Sequence, residues 1–128
     1  MDYQMKKYKE EVKQRWGNTK AYKQSEQRTK NWIKEDYRKI EGEEKLLTLE
    51  LANLMKKGIE NSEVQSLIEK HYEGIQRFYD CSYEMYLNLG KMYIEDYRFA
   101  AYYDKVKLGL AQFVCNAIIY YVKIHNKK

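Results

Sequence analysis

The chain is expected to be all-α, and three observations carry that expectation. It has no proline and only 6 glycines in 128 residues, whereas a β-sandwich or barrel needs turn signals every 8–12 residues or so. Apolar residues recur at i, i+3, i+4 and i+7 in one segment after another. Charged residues make up 34% of the chain, and their signs alternate in stretches such as KEEVKQR and IKEDYRKIEGEEK, as on the wet faces of helices. The length suits a single domain with one core.

Taken in order, a first helix is predicted from about Tyr3 to Trp16, with Met5, Tyr8, Val12 and Trp16 on one stripe and Gly17 closing it. Asn18 or Thr19 is placed to cap a second, polar helix that reaches about Lys30. A long third helix runs from about Lys34 to Lys57, with Tyr37, Ile40, Leu47, Leu51 and Leu54 on one face. Lys56, Lys57 and Gly58 supply the late positive charge and the glycine that end it. Ser62-Glu63-Val64-Gln65 fits a capping box opening a fourth helix along Val64, Leu67, Ile68, His71, Ile75 and Phe78. A break at Tyr79-Asp80-Cys81 precedes a fifth helix, about Tyr83 to Glu95, with Met85, Leu89 and Met92 facing inward. A short helical turn near Arg98 to Tyr103 leads to the last helix, about Lys107 to His125. Its face of Leu110, Phe113, Val114, Ala117, Ile118 and Tyr121 is the most apolar in the chain.

The two ends differ in kind. Residues 1–45 hold 12 apolar or aromatic residues and the remaining 83 hold 44. Ordering each residue costs about 1–2 kcal/mol of backbone entropy, so the first two helices bury too little to fold alone. The organisation expected is a mobile helical flap over residues 1–45 and a stable core over residues 46–128.

Most catalytic chemistry lacks its residues. The two histidines, His71 and His125, have Ile68 and Val122 three positions before them, so the Glu-x-x-His pairs of a di-iron bundle are missing. No C-x-x-C, H-E-x-x-H, G-x-x-x-x-G-K or G-x-G-x-x-G occurs. No metal, cofactor or enzymatic activity is expected, and His71 reads as a satisfied core histidine. The net charge of +5 reads as a solvated lysine-rich surface, because acidic residues interleave with the basic ones. No direct nucleic-acid binding is expected, and no winged-helix segment is legible. The most apolar stretch, FVCNAIIYYV, is about half the ~20 residues needed to cross a bilayer, and no secretory leader is visible. A cytoplasmic protein is expected, with Cys81 and Cys115 as reduced thiols.

The stretch RFYDCSYEMYLNLGKMY, Arg77 to Tyr93, sets a cysteine where a helix begins. With Ser82 as N-cap, Cys81 lies just outside the helix, where about half a positive charge favours thiolate. Asp80 and Glu84 oppose that effect, and a merely buried small residue is the competing reading. Phe78, Tyr79, Tyr83, Met85 and Met92 flank the thiol. Tyrosines offer flat apolar faces with hydroxyl tips, and methionines adapt to irregular shapes. Such a surface suits a large, flat, weakly charged ligand or, equally, core packing.

The segments YKEEVKQRWGNTKAYKQSEQRTK, KEDYRKIEGEE, SEVQSLIEKHYEGIQRFYDCSYEM, LGKMYIEDYRF and GLAQFVCNAI, in this order, closely resemble the TipAS antibiotic-recognition domain. That domain is the effector-binding part of certain MerR-type regulators and also occurs free-standing. The resemblance implies an α-helical, globin-like fold without haem that binds thiopeptides, such as thiostrepton or nosiheptide, or similar large heterocyclic peptides. It implies front helices that order over the drug, and a cysteine that adds to a dehydroalanine of the antibiotic. Cys81, in the matching Tyr-Asp-Cys-Ser, is carried over as that nucleophile; Cys115 looks like a packing residue. Trp16, Trp32 and Tyr37 would meet Phe78, Tyr79, Tyr83, Met85 and Met92 around the guest. Two departures stand out: Tyr83 and Tyr97 occupy positions where the family usually has proline. Proline suits a first helical position without being required there, so the fold should survive while the pocket wall changes. The alternative function is a protein-interaction module, with another protein or a second copy of this chain as partner.

Overall fold

The computed structural model describes residues 14, 15 and 17–126. The predicted first helix, with Met5, Tyr8, Val12 and Trp16, lies outside these residues except for Gln14 and Arg15, which are helical. Beyond them, the described residues form α1 (Lys20–Thr29), α2 (Lys34–Asn53), a 3-10 turn (Met55–Lys57), α3 (Ser62–Gln76), α4 (Tyr83–Glu95), α5 (Tyr97–Val106) and α6 (Leu110–His125), with no strand among them.

The starts and stops follow local chemistry. Thr19 caps α1, its Oγ1 accepting from Tyr22 N at 3.1 Å. The α-helical part of α2 stops at Asn53, and the chain tightens into the 3-10 turn before Gly58, whose φ of 85° is one that L side chains rarely adopt. Asn61, not Ser62, caps α3: its Oδ1 accepts from Glu63 N at 2.9 Å and Val64 N at 3.2 Å. The Gln65 amide expected in a capping box instead donates to the carbonyls of Ile59 and Ala117, which ties α3 to α6. Ser82 caps α4 through Met85 N at 3.1 Å. The short turn predicted near Arg98 is the 10-residue helix α5, capped by Asp96, whose carboxylate accepts from Arg98 N at 2.9 Å and pairs with the Arg98 guanidinium.

Helix α6 is the hub, in contact with α2, α3, α4 and α5. Eight of its residues are buried: the predicted Leu110, Val114, Ala117, Ile118 and Tyr121, and also Ala111, Cys115 and Val122. A helix buried on so much of its circumference is one packed from several sides. Phe113, predicted inward, is half-buried. On α4 the inward stripe is Tyr86, Gly90 and Tyr93, about 100° around the helix from the predicted Met85, Leu89 and Met92. Gly90 is the reason. A Cβ there would lie 3.2 Å from Ile118 Cγ2 and 3.4 Å from Ile118 Cβ and Cδ1, so α4 approaches α6 through its one residue without a side chain. Met85 and Leu89 pack on the flank of the core. Gly90→Leu is therefore expected to cost about 1–3 kcal/mol by overpacking against Ile118, read as a lower urea midpoint; an unchanged midpoint would mean that the two helices separate freely.

No described residue before Thr48 is buried. Helix α1 buries none of its residues, and α2 only Thr48, Leu51 and Ala52, all in its last two turns.

Candidate functional site

The loop between α3 and α4 carries Phe78, Tyr79, Asp80 and Cys81. Its shape is set by the last turns of α3. Gln76 folds back so that Nε2 donates to Cys81 O at 2.7 Å while Oε1 accepts from Cys81 N at 3.0 Å. Tyr72 OH donates to the same carbonyl. Cys81 is thereby held at both backbone polar groups, and it is 4% exposed.

The thiol donates to Ser82 O at 3.5 Å. It faces a carbonyl rather than the amides of the α4 N-terminus, of which Met85 N is already taken by Ser82 Oγ. Burial pushes the Cys81 thiol up to about 11, the direction of the buried-residue reading and the opposite of thiolate stabilisation. Cys115, 1% exposed on α6, is a packing residue whose thiol burial also raises.

From the other side, α1 reaches the loop with polar side chains. Gln24 Nε2 donates to Asp80 Oδ2 at 3.2 Å, and Asp80 N donates to Gln24 Oε1 at 2.9 Å. Arg28 donates to Asp80 Oδ1 at 2.8 Å and to the Gln76 carbonyl at 3.0 Å. Hydrogen bonds from Arg28 and Gln24 hold the Asp80 carboxyl below its usual range.

The aromatic residues divide into two groups. Trp32 lies between Phe78, with centroids 5.2 Å apart, and Tyr37, at 5.5 Å; Tyr37 is exposed. Deeper, Tyr72 stacks on Tyr83 at 5.6 Å and meets Tyr86 and Tyr121. Of the predicted ligand residues, Cys81, Phe78, Tyr79, Tyr83, Met85, Trp32 and Tyr37 thus belong to the loop, its flanks or its ring clusters. Met92 lies about 14 Å further along α4 than Tyr83, and Trp16 is outside the described residues. Gln24, Arg28, Tyr72 and Gln76 escaped sequence reasoning. They are unremarkable polar or aromatic helix residues, and only folding brings positions 24 and 28 to position 80.

His71 is satisfied as expected, though half-buried by its accessible surface: Nδ1 is 2.7 Å from Tyr86 OH and Nε2 is 3.3 Å from Tyr93 OH. Among the described residues no group of His, Cys, Asp and Glu is arranged to hold a metal, and no helix is long and apolar enough to cross a membrane.

Comparison with known proteins adds to this geometry. Residues 8–121 match the TipAS antibiotic-recognition domain. The chain is 41% identical over 121 residues to the HTH-type transcriptional activator TipA of Streptomyces coelicolor, covering 92% of this chain and 48% of that protein, with the same figures for TipA of Streptomyces lividans. It is 33% identical over 115 residues to the HTH-type transcriptional activator mta of Bacillus subtilis, covering 89% and 44%. The chain thus spans about half the length of the curated relatives it matches. Among solved structures, TipAS from Streptomyces lividans in complex with nosiheptide, part of a thiopeptide antibiotic multidrug resistance system, is similar with a TM-score of 0.87 at 38% identity, over 98% of this chain and 90% of that one. With a match over most of its length and relatives of this identity, the chain belongs to the TipAS antibiotic-recognition domain family.

Proposed function

We propose that this chain binds thiopeptide antibiotics, or similar large heterocyclic peptides, between the front helices and the loop that carries Cys81. The observation that carries the reading is the likeness, over nearly the whole chain, to a protein solved with nosiheptide bound. The aromatic groups around Trp32 and Tyr83 support it, because multi-ring peptides gain most from flat apolar faces. Burial of the guest contributes about 25 cal/mol per Å² of apolar surface, offset by the ordering of a front third that buries little of itself. The globin-like arrangement and the flap over residues 1–45 belong to this reading. Nosiheptide at one hundred times its dissociation constant is expected to stabilise the fold by about 2.7 kcal/mol and to raise helicity. Circular dichroism melts with nosiheptide and thiostrepton test this, and an unmoved midpoint with both would refute it.

Covalent capture is the second part of the proposal. The Cys81 S–H adds across the C=C of a dehydroalanine: an S–C bond forms at the β carbon, the π bond breaks, and the proton ends on the α carbon. A thiol held up at about 11 reacts slowly until its surroundings change, so binding should precede bonding. The intact mass should rise by one antibiotic, and not in Cys81→Ala; equal labelling of that variant would exclude Cys81 as the nucleophile. Capture of this kind is single-use and leaves the chain a binder, not an enzyme. The domain would act in the cytoplasm as a drug sensor, when joined to a DNA-binding partner segment, or as a sequestering protein.

One observation favours a second reading, a protein-interaction or homodimer module. Leu46 and Leu49, one turn apart on α2, are 59% and 52% exposed. Gel filtration over a range of concentrations separates the two, since a dimer indifferent to thiopeptides would favour the second.

A further inference from the structure

We infer that Tyr72 and Gln76, on one face of α3, are positioning residues for Cys81. They fix the two peptide planes that flank it and hold its thiol on the Ser82 carbonyl, which keeps the sulfur unreactive toward small electrophiles that do not bind the protein. Three observations carry this. First, residues four apart on a helix are neighbours, and these two side chains converge on the Cys81 backbone. The Gln76 carboxamide accepts from Cys81 N at 3.0 Å through Oε1 and donates to Cys81 O at 2.7 Å through Nε2. The reverse amide orientation would set NH2 against N–H, so the hydrogen-bond network assigns this one. Tyr72 OH donates to the same Cys81 carbonyl. Second, Tyr72 is itself fixed. Its ring stacks on Tyr83 at 5.6 Å and meets Tyr86 at 4.7 Å and Tyr121 at 5.7 Å, so α4 and α6 set where its hydroxyl lies. Tyr83 opens α4 two residues after Cys81, and Tyr72 therefore grips the chain at both places.

The third observation is the thiol itself. Peptide groups are planar, so a residue held at both its N–H and its carbonyl has a set Cα–Cβ direction, and only the side-chain rotamer remains free. The rotamer adopted donates to Ser82 O at 3.5 Å and is buried. A carbonyl acceptor stabilises S–H and repels a thiolate, so this contact acts in the same direction as burial. The titratable groups that face the thiol supply no positive charge. They are the phenols of Tyr72 on α3 and Tyr86 on α4, both raised above their ordinary range, and Asp80 beside it in the chain, which Arg28 pairs. A thiol so held offers little thiolate to an electrophile met by collision. A guest bound beside it stays long enough to react, because proximity replaces concentration. The inference rests on the reading of Cys81 as the capture residue, but its test uses no antibiotic.

The experiment is alkylation of the full chain by iodoacetamide from pH 7 to 9.5, followed residue by residue by peptide mass spectrometry. The sulfur displaces iodide and its proton goes to the buffer. Cys115, buried on α6, reports opening of the whole fold in the same sample and serves as the internal reference. Tyr72→Phe keeps the ring and removes the hydroxyl, whereas Gln76→Met keeps the length and removes both hydrogen bonds. Each is expected to raise the Cys81 rate at pH 7.5, relative to Cys115, by about fivefold. The pH profile should change shape as well. In the native chain the rate should climb about tenfold per pH unit across the range, whereas in the variants it should bend toward a plateau as the thiol nears its ordinary value of about 8.5. A relative rise below twofold in either variant overturns the inference, as does a rise matched by Cys115, which would mean loosening of the whole fold. A rise with the native pH profile also overturns it, since the two residues would then only shield the sulfur. None of these results bears on whether nosiheptide binds; conversely, absent nosiheptide binding leaves the alkylation result standing.

Discussion

Tyr86→Ala is expected to leave the protein unfolded or nearly so at room temperature. Tyr86 is 0% exposed, and its ring meets Tyr72 at 4.7 Å and Tyr121 edge-on at 5.9 Å. Truncating a buried aromatic side chain costs about 3–5 kcal/mol in lost contacts and cavity. The hydroxyl adds to this. A His71 tautomer with its proton on Nδ1, assigned from the hydrogen-bond network, donates to Tyr86 OH, which donates to Ile68 O at 3.3 Å. Without the hydroxyl, a buried donor and a carbonyl lose their partner, at about 1–3 kcal/mol. Small domains have about 5–15 kcal/mol in total, so the sum approaches the whole. Tyr86→Phe isolates the polar part and should lose about 1–3 kcal/mol with the ring contacts kept. Urea titrations followed by circular dichroism measure both. If alanine cost less than 1 kcal/mol, the Tyr86 cluster would not be the centre of the core.

Acid is expected to weaken the fold through His71 before the carboxylates act. Burial lowers His71 to about 4 from its ordinary 6.5, and no nearby carboxylate offsets that burial among the causes of the shift. Above pH 6.5 the imidazole is neutral in folded and unfolded chains alike and contributes no pH dependence. Between pH 6.5 and 4 the unfolded chain takes up a proton that the folded chain refuses. Stability then falls by about 1.4 kcal/mol per pH unit, or about 3 kcal/mol across the window. Asp80 and Asp96, held low mainly by Arg28 and Arg98, lose their contributions only as they protonate at lower pH. Glu44, raised by burial, acts in the opposite sense, because the folded chain takes up its proton before the unfolded chain does. A fall in stability from pH 6.5 to 5.5 therefore has the sign of His71 and not of Glu44. Urea midpoints at pH 7.5 and 6.5 should nearly agree and that at pH 5.5 should drop in the native chain, with the drop lost in His71→Gln; the same drop in both would assign the acid sensitivity elsewhere.

The helix inventory was legible because each boundary is a local event. Thr19, Ser82 and Gly58 act within a few residues of themselves, and α4 runs from Tyr83 to Glu95 as its pattern implies. Local signals decide less where they have a rival. Asn61 outcompeted Ser62 because its side-chain oxygen reaches two amides at once, and Gln65 was free to bind another helix instead. The face of α4 is not legible in sequence because the stripe of Met85, Leu89 and Met92 is at least as apolar as that of Tyr86, Gly90 and Tyr93. Which one turns inward depends on how closely Ile118 approaches.

Sequence by itself determined that the chain is helical, where its most apolar helix lies, that the front third is poor in apolar residues, and which loop bears the thiol beside its aromatic neighbours. All of these are properties of composition and of spacings within a turn or two. Only the tertiary structure decided the state of that thiol. From the chain alone Cys81 sits by a helix N-terminus that favours thiolate, with Asp80 and Glu84 opposing it; in the fold, burial raises the thiol, which donates to Ser82 O. The same holds for the hold of Gln24 and Arg28 on Asp80, more than 50 residues away. Desolvation and long-range hydrogen bonds depend on what surrounds an atom, and those surroundings exist only once distant helices have packed.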